Sequence, residues 1–363
     1  MTTQNDGVPP SGNAPGAERS WDVVVIGGGA AGLSGALTLA RARRSVLVVD
    51  AGEPRNAPAH GVHGYLGREG VAPAELMAAG RAEVTAYGGT VIDGRVVAAR
   101  PLPGSCETAR GFGVTLADGT EVVARRLLVA TGLTDELPDV PGLAERWGRE
   151  VLHCPYCHGW EVRDRPIGVL ATGPKGVDQA LLLRQWSADV TLFLHTAPAL
   201  SAEQRERLAA RGIAVVEGEV TGVEVTGDRL TGLRLGPDRV VACGAVAVAP
   251  DLVARTEVAS SLGLAAAEQR AGEHVMGRAV PATGPAGATD VPGVWVAGNA
   301  TDLAAGVIGA AAAGFMAATA INADLVAEDT ARAVAVRRAR GGKADGPFPA
   351  RAGAAGPGRG HDR

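Results

Sequence analysis

Asp22-Val-Val-Val-Ile26 runs directly into Gly27-Gly-Gly-Ala-Ala-Gly32. Four consecutive apolar residues ending at glycine read as a fully buried strand of a parallel sheet. Gly27, Gly29 and Gly32 then fit G-x-G-x-x-G at a strand–helix junction. The first glycine permits the tight turn, the second lets a pyrophosphate approach the backbone, and the third lets helix and strand pack closely. The apolar helix that follows, to about Arg41, opens with Ala30 and Ala31 and turns its N-terminus toward the phosphates. Ser45-Val-Leu-Val-Val-Asp50 is the second strand. Asp50 ends it eighteen residues past Gly32, where an acid reaches ribose hydroxyls. The motif marks a dinucleotide site without separating FAD from NAD.

A second unit of the same kind lies downstream. Ile167-Gly-Val-Leu170 leads through a loop to Gly176, a helix Val177–Trp186, and a strand Val190-Thr-Leu-Phe-Leu194. Strands alternating with helices imply parallel sheets, and two such units imply two Rossmann-like domains. With 363 residues, 46% hydrophobic and 20% charged, the chain is long enough for two cores. A net charge of −4 and 3% aromatics give no sign of nucleic-acid binding. Residues 1–20 are polar, without the apolar core of a secretory signal, and read as a disordered tail. The Ala/Gly-rich run Leu303 to Ile321 reads as a buried helix, bracketed by Asp302 and Asp324, rather than a membrane span. A cytoplasmic location is expected.

Between the two units lies Cys154-Pro155-Tyr156-Cys157-His158-Gly159. Two cysteines at this spacing can cycle between dithiol and disulfide, with a neighbouring flavin or nicotinamide exchanging the two electrons. C-x-x-C-H is also a haem attachment motif, which requires export. A zinc site needs two further ligands, and Cys106 and Cys243 stand alone, so no metal is assigned. Cys-Pro-Tyr-Cys also occurs in glutaredoxins, near the start of a small single domain. The redox reading fits best, because a helix N-terminus and adjacent proton acceptors favour the reactive thiolate. His158 titrates near the working pH and is a candidate acid/base; His153 is a candidate helper or a bystander.

Leu127-Leu-Val-Ala130-Thr131-Gly132 is a strand ending in an Ala-Thr-Gly turn. Val294-Trp-Val-Ala-Gly298-Asn299 is another strand, entering the Ala/Gly helix. With the fingerprint and the CxxC, their order over residues 20–328 resembles the low-molecular-weight thioredoxin reductase family. The resemblance implies an α/β fold of two Rossmann-like, three-layer dinucleotide-binding domains, the FAD domain split by an inserted domain carrying the CxxC. The FAD domain then covers 21–140 and 254–328, and the inserted, degenerate NAD(P)-like domain 141–253. Residues 329–363 read as a disordered basic tail. The implied cofactor is FAD, held by Gly27, Gly29, Ala30, Ala31, Gly32, Asp50, Asn56, Ala130, Thr131, Gly132, Gly298 and Asn299. Asn299 replaces the family's usual Asp, and Asp302 adds polarity to that turn. Cys157 is the implied flavin-proximal sulfur and Cys154 the one exchanging with substrate. A homodimer is also implied.

The second unit departs from an NADPH-using reductase. Its loop reads Ala171-Thr-Gly-Pro-Lys-Gly176, without the first glycine and with Pro174 where free amides belong. After the next strand, Leu194-His195-Thr196-Ala197-Pro198 carries no arginine pair for a 2′-phosphate, and neither Arg184 nor Lys175 fits that pattern. CPYCHG with a degraded nicotinamide loop resembles the FAD-dependent dithiol oxidases of the gliotoxin and holomycin type. Arg55-Asn56-Ala-Pro-Ala-His60-Gly-Val-His63-Gly-Tyr65-Leu66 is similar to that branch too, with His60 and His63 either over the flavin or filling a loop. The resemblance implies a small-molecule dithiol and O2 as reactants. A reductase using NAD(P)H or ferredoxin, and a flavin redox sensor acting through the basic tail, are the alternative readings.

Overall fold

The computed structural model describes residues 20–102, 111–272 and 274–341. The first βαβ unit is β1 (Ser20–Ile26), α1 (Ala30–Arg41) and β2 (Val46–Asp50), continued by α2 (Pro73–Ala86) and β3 (Thr90–Asp93). Antiparallel β4 (Val96–Pro101) and β5 (Phe112–Leu116) follow, then the long β6 (Glu121–Val129). The sheet order is β3-β2-β1-β6-β5-β4. Val23 to Ile26 are buried because both faces of β1 are covered. Val23 and Val25 face a cluster with Leu39, Ala317 and Ile321; Val24 and Ile26 face one with Phe112, Val114 and Leu262. Each such side chain contributes about 1.5–3 kcal/mol on burial.

The chain leaves this domain through β7 (Leu133–Glu136). The inserted unit runs β8 (Val151–Leu152), α3 (Pro155–His158), β9 (Ile167–Leu170), α4 (Lys175–Leu183), β10 (Val190–Phe193), α5 (Ala202–Ala210) and β11 (Ala214–Val216). Three antiparallel strands, β12 (Val220–Thr226), β13 (Arg229–Leu235) and β14 (Arg239–Ala242), precede β15 (Ala245–Val248). A parallel sheet of order β11-β10-β9-β15-β8 forms its core. The return strand β16 (Asp251–Ala254) pairs antiparallel with β7, so exit and re-entry lie side by side. Helix α4 starts at Lys175 and ends at Leu183, earlier at both ends than the sequence pattern indicates. Pro174, with φ −62 and ψ −21, is already in helical conformation at its N-cap.

The last segment contains α6 (Glu257–Ser261), β17 (Ala267–Ala271), β18 (His274–Ala279), β19 (Val294–Val296) and α7 (Val307–Ala339). Strand β19 returns to the first sheet, parallel to β6. Helix α7 is long and apolar enough, by length and composition, to cross a membrane. Its inner face, however, lies on α1. A Cβ at Gly314 would collide with the Ala31 carbonyl oxygen, so glycine there is what lets the two backbones approach.

The tail expected from residue 329 needs correction: α7 continues to Ala339, and only residues 342–363 of it lie outside the described residues. No glycine or proline interrupts residues 315–340. Charge pairing anchors the start of this stretch. Asp329 binds Arg44 at 2.7 Å and Arg125 at 2.5 Å. Buried Glu328 binds Arg126 at 2.6 Å, and Asp324 pairs with the same guanidinium. Gly341, at φ +80, ends the helix in the left-handed conformation that suits glycine. Residues 1–19 and Cys106 also lie outside the described residues.

Candidate active site

The dinucleotide cradle is built from the turn after β1. Gly27 has φ +106 and donates its N–H to Val49 O at 2.8 Å, so the turn needs a residue without Cβ. Gly29 is the N-cap of α1, and the first bond inside the helix is Leu33 N–H to Gly29 O at 2.9 Å. The amides of Ala30, Ala31 and Gly32 therefore open the helix without an intrahelical acceptor. A Cβ placed on Gly29 would meet nothing within 4 Å, which leaves open space on the side a pyrophosphate needs. Gly298, at φ +68, lies where α1 and α7 converge, its ideal Cβ 2.8 Å from Ala31 Cβ and 3.6 Å from Ala310 Cβ. Helix α7 opens in the same way: Ala310 N–H bonds Gly306 O, which leaves the amides of Val307, Ile308 and Gly309 available to an electron-rich edge. This second helix N-terminus was not assigned from the sequence, where only an Ala/Gly run is visible.

Asp50 sits at the end of β2 as expected, but it is already engaged. Its carboxylate accepts from Gly28 N–H at 3.1 Å, Gly52 N–H at 3.2 Å and Arg81 at 2.7 Å. Burial pushes its pKa up, but Arg81 and the two amides more than offset this and hold it below the usual carboxylate range. A carboxylate has about four acceptor sites, so one remains for a ribose hydroxyl. Arg81, on α2, also binds Asp93, and no motif in the sequence announces it. Thr131 turns its hydroxyl to Arg255 O at 2.7 Å, tying the Ala130–Gly132 turn to the returning chain. Asn56 is half-buried in the segment between β2 and α2. Asn299 donates to Asp302 O and Ala305 O, both at 2.9 Å, and its Oδ1 accepts from Arg55 at 3.4 Å. The open glycine, the two helix N-termini and the remaining acceptor on Asp50 fit FAD.

Arg55 connects this turn to the cysteines. It forms a two-pronged ion pair with Asp135, just past the Ala130–Gly132 turn, at 2.6 and 2.7 Å. Its positive charge acts on both Cys154 and Cys157. Cys154 is the N-cap of α3, with Pro155 in the first turn. The Cys157 thiol donates to Cys154, and the Cys157 and Tyr156 amides add to that bond. Together with Arg55 they hold the Cys154 thiol below its ordinary value, against the opposing effect of burial. The Cys157 thiol is pushed up, first by this hydrogen bond and then by burial. Cys154 is thus the thiolate of the pair. Alkylation of the reduced protein by iodoacetamide is expected to follow a midpoint below that of a free thiol (about 8.5) and to shift upward in Cys157→Ala. A midpoint at the free-thiol value would contradict this assignment.

His158 follows Cys157, and burial lowers its pKa, so it is neutral near neutral pH. Its Nε2 is buried without a hydrogen-bond partner. His153 is pushed down to about 4, by burial and then by Arg55, and stays neutral. His63 faces Glu69 at 2.6 Å and Glu161 at 3.6 Å, so it ties the segment after β2 to the inserted domain. Cys243 is buried, its thiol pushed up to about 12 by that burial. In the degraded loop, Ala171 is 2% exposed, and a Cβ on Gly176 would collide with its methyl group. His195, after β10, accepts from Val220 N–H at 3.1 Å.

A split Rossmann domain whose cradle fits FAD, joined to an inserted unit that carries the CxxC, places the chain among the FAD-dependent oxidoreductases. The chain belongs to the pyridine nucleotide-disulphide oxidoreductase family, whose profile matches residues 21–320. The crystal structure of HlmI is similar at 47% identity and a TM-score of 0.81, covering 88% of this chain and 97% of that one. An oxidoreductase from Agrobacterium tumefaciens is 36% identical, with a TM-score of 0.77, over 85% and 99% of the two chains. Thioredoxin reductase tcpT of Claviceps purpurea is 38% identical over 188 residues, 50% of this chain and 58% of that protein. The chain spans about half the length of the first curated relatives it matches, 45% and 58%. The resemblance to thioredoxin reductases drawn from the motifs holds, as do the fold class and the FAD assignment.

Proposed function

We propose that this flavoenzyme oxidises a small-molecule dithiol to its intramolecular disulfide and passes the electrons to O2, releasing H2O2. One observation carries the reading: a fully equipped CxxC beside a nucleotide loop that has lost its first glycine to buried Ala171 and an amide donor to Pro174. Ala171 packs against Gly176 where the first glycine would stand, Pro174 caps α4, and His195 is committed to Val220 where a 2′-phosphate site would begin. The inserted domain, 141–253, then serves to present the cysteines, while 21–140 and 254–328 hold FAD through the cradle residues described above.

FAD, when bound, takes two electrons from the cysteine pair and delivers them to O2. The protein's own residues do the rest. A substrate thiolate attacks Cys154 of the oxidised pair, and Cys157 leaves as thiolate, its charge moderated by Arg55. The unpartnered Nε2 of His158 receives the proton of the second substrate thiol. That thiolate attacks the substrate sulfur of the mixed disulfide, releasing cyclic product and the Cys154 thiolate. The Tyr156 and Cys157 amides and the Arg55 charge stay beside Cys154 at this point and stabilise the departing thiolate. The balance is dithiol plus O2 giving disulfide plus H2O2.

The exposed Ile308, Phe315 and Met316 on α7 support a homodimer, and a cytoplasmic location accompanies redox rather than structural use of the cysteines. The names of several curated relatives favour a second reading, a thioredoxin reductase drawing on NAD(P)H or ferredoxin. Anaerobic mixing separates the two. Flavin bleaching by a dithiol, reversed by air with peroxide release, is the expected result. Rapid bleaching by NADPH or NADH would replace the oxidase reading with the reductase.

A further inference from the structure

His158 is the buried base of the proposed cycle, and the proton it collects needs a way out. Its Nε2 is buried without a hydrogen-bond partner. Burial also lowers the pKa of the ring, so the imidazolium is a poor resting state. A ring that takes one substrate proton per turnover and holds it poorly has to pass it on before the next. Three ionisable side chains act on it: Glu161, His63 and His60. Glu161 is the carboxylate among them. It lies three residues past His158, on a turn that Gly159 continues with helical backbone, φ −64 and ψ −32, so the two side chains share a face. Its side chain is 42% exposed, whereas that of His63 is 21% exposed, so Glu161 is the one that meets water. Among the described residues its carboxylate accepts no hydrogen bond, and its ion contact is with His63 Nε2 at 3.6 Å. His63 is held from its other nitrogen: Nδ1 faces Glu69 at 2.6 Å, and Glu69 accepts from Gly64 N–H at 2.9 Å. Arg163, two residues past Glu161, is committed to Trp160, lying 4.0 Å over its ring and donating to its carbonyl oxygen at 2.6 Å. The carboxylate is thus left to the two histidines and to solvent.

We propose that Glu161 is the proton outlet of the site: it takes the proton that His158 collects from the substrate thiol and hands it to water, while His63 holds its carboxylate in place. The inference rests on the dithiol-oxidase reading, in which His158 is loaded once per cycle. One proton enters the ring at Nε2, one leaves the ring for the Glu161 carboxylate, and water takes it from there; no electrons move. The negative charge of Glu161 favours the protonated ring, against burial and the two neighbouring histidines. The same side chain therefore draws the proton onto the buried base and offers it a solvated exit. His63, which the sequence leaves either over the flavin or filling a loop, is a positioning residue here, bridging Glu69 and Glu161.

The test uses the FAD-loaded enzyme with dithiothreitol at saturating O2, and reads turnover against pH. Glu161→Gln keeps the size of the side chain and loses its capacity to take a proton. Its kcat should fall by about 10²-fold near neutral pH, the lower end of what a positioned acid–base group contributes, with KM little changed. The deficit should narrow as pH rises, because solvent base then clears His158 without the carboxylate. Glu161→Asp should keep most of the rate, and His63→Gln should show a smaller loss of the same pH form. In Glu161→Ala, added acetate should restore turnover in proportion to its concentration, and chloride at equal ionic strength should not. The flavin spectrum and the alkylation midpoint of Cys154 should stay at their wild-type values throughout. A deficit equal at every pH and unmoved by acetate would mean that Glu161 only holds the backbone around the CxxC, and would overturn the proposal. Wild-type kcat in Glu161→Gln, with O2 consumption intact, would remove the outlet and leave the oxidase. Acetate-rescued reduction of a disulfide by NADPH, in an enzyme that consumes no O2 with dithiothreitol, would sink the oxidase reading and leave the outlet standing.

Discussion

Cys157→Ser stops turnover while the protein keeps its fold and its yellow colour. The reason lies in the division of labour between the two sulfurs. Cys154 carries the acidity, through the amides of α3, the Cys157 thiol and Arg55. In the proposed cycle Cys157 carries the exchange with the cofactor, as the sulfur that leaves when substrate attacks. Serine in its place forms no disulfide, so substrate has no bond to attack and the flavin receives no electrons. A fall of about 10³-fold or more in O2 consumption is expected, as for removal of other covalent participants. The same variant retains Cys154 as an exposed-enough nucleophile, half-buried at the N-cap, and it should accumulate a stable mixed disulfide with an aromatic disulfide reagent. Oxygen uptake and intact mass read the two effects separately. If Cys157→Ser kept a tenth of the wild-type rate, the dithiol would be reacting with the flavin directly, and the cysteine relay would be wrong.

What could be read from the sequence was whatever is local in the chain. The strand–glycine–helix pattern at 22–32 declares itself because a parallel strand buried on both faces must be apolar throughout, and the turn needs glycine at Gly27 and Gly32. The CxxC and the damaged loop at Ala171–Gly176 are equally local. Residues brought together only by folding left no trace. Arg55 reaches Asp135 eighty positions on and Asn299 farther still, and as one arginine among many it has no distinguishing spacing. Arg81 meets Asp50 by the way α2 lies against the sheet. The end of α7 was missed because alternating Ala, Arg and Val has no amphipathic period. It is anchored where it begins, at Asp329, by Arg44 and Arg125 from far away in the chain. Asn299 was legible as a turn residue, but its amide bonds to Asp302 and Ala305 were not.

Gly29→Ala and Gly32→Ala should fail in different ways, and the difference tests the FAD cradle. The two glycines are three residues apart on the first turn of α1, and their surroundings are opposite. A Cβ on Gly32 would collide with the Gly27 carbonyl oxygen and come within 3.0 Å of its carbonyl carbon. That oxygen belongs to a turn fixed by φ +106 and by the Gly27–Val49 hydrogen bond, so it cannot give way cheaply. Gly32→Ala therefore costs stability with or without cofactor. A Cβ on Gly29 meets no protein atom within 4 Å. Gly29→Ala should lower the melting temperature of the apoprotein far less than Gly32→Ala, by no more than the poorer N-cap costs. With FAD present, the added methyl occupies the space that the pyrophosphate requires above the amides of Ala30 and Ala31. Overpacking of this kind costs about 1–3 kcal/mol, or roughly 5- to 150-fold in the Kd for FAD. Flavin absorbance of the purified variants, with melting curves taken before and after FAD addition, distinguishes the two. Equal FAD affinity in Gly29→Ala and wild type would mean that the pyrophosphate lies elsewhere, and that the glycine at 29 serves the turn alone.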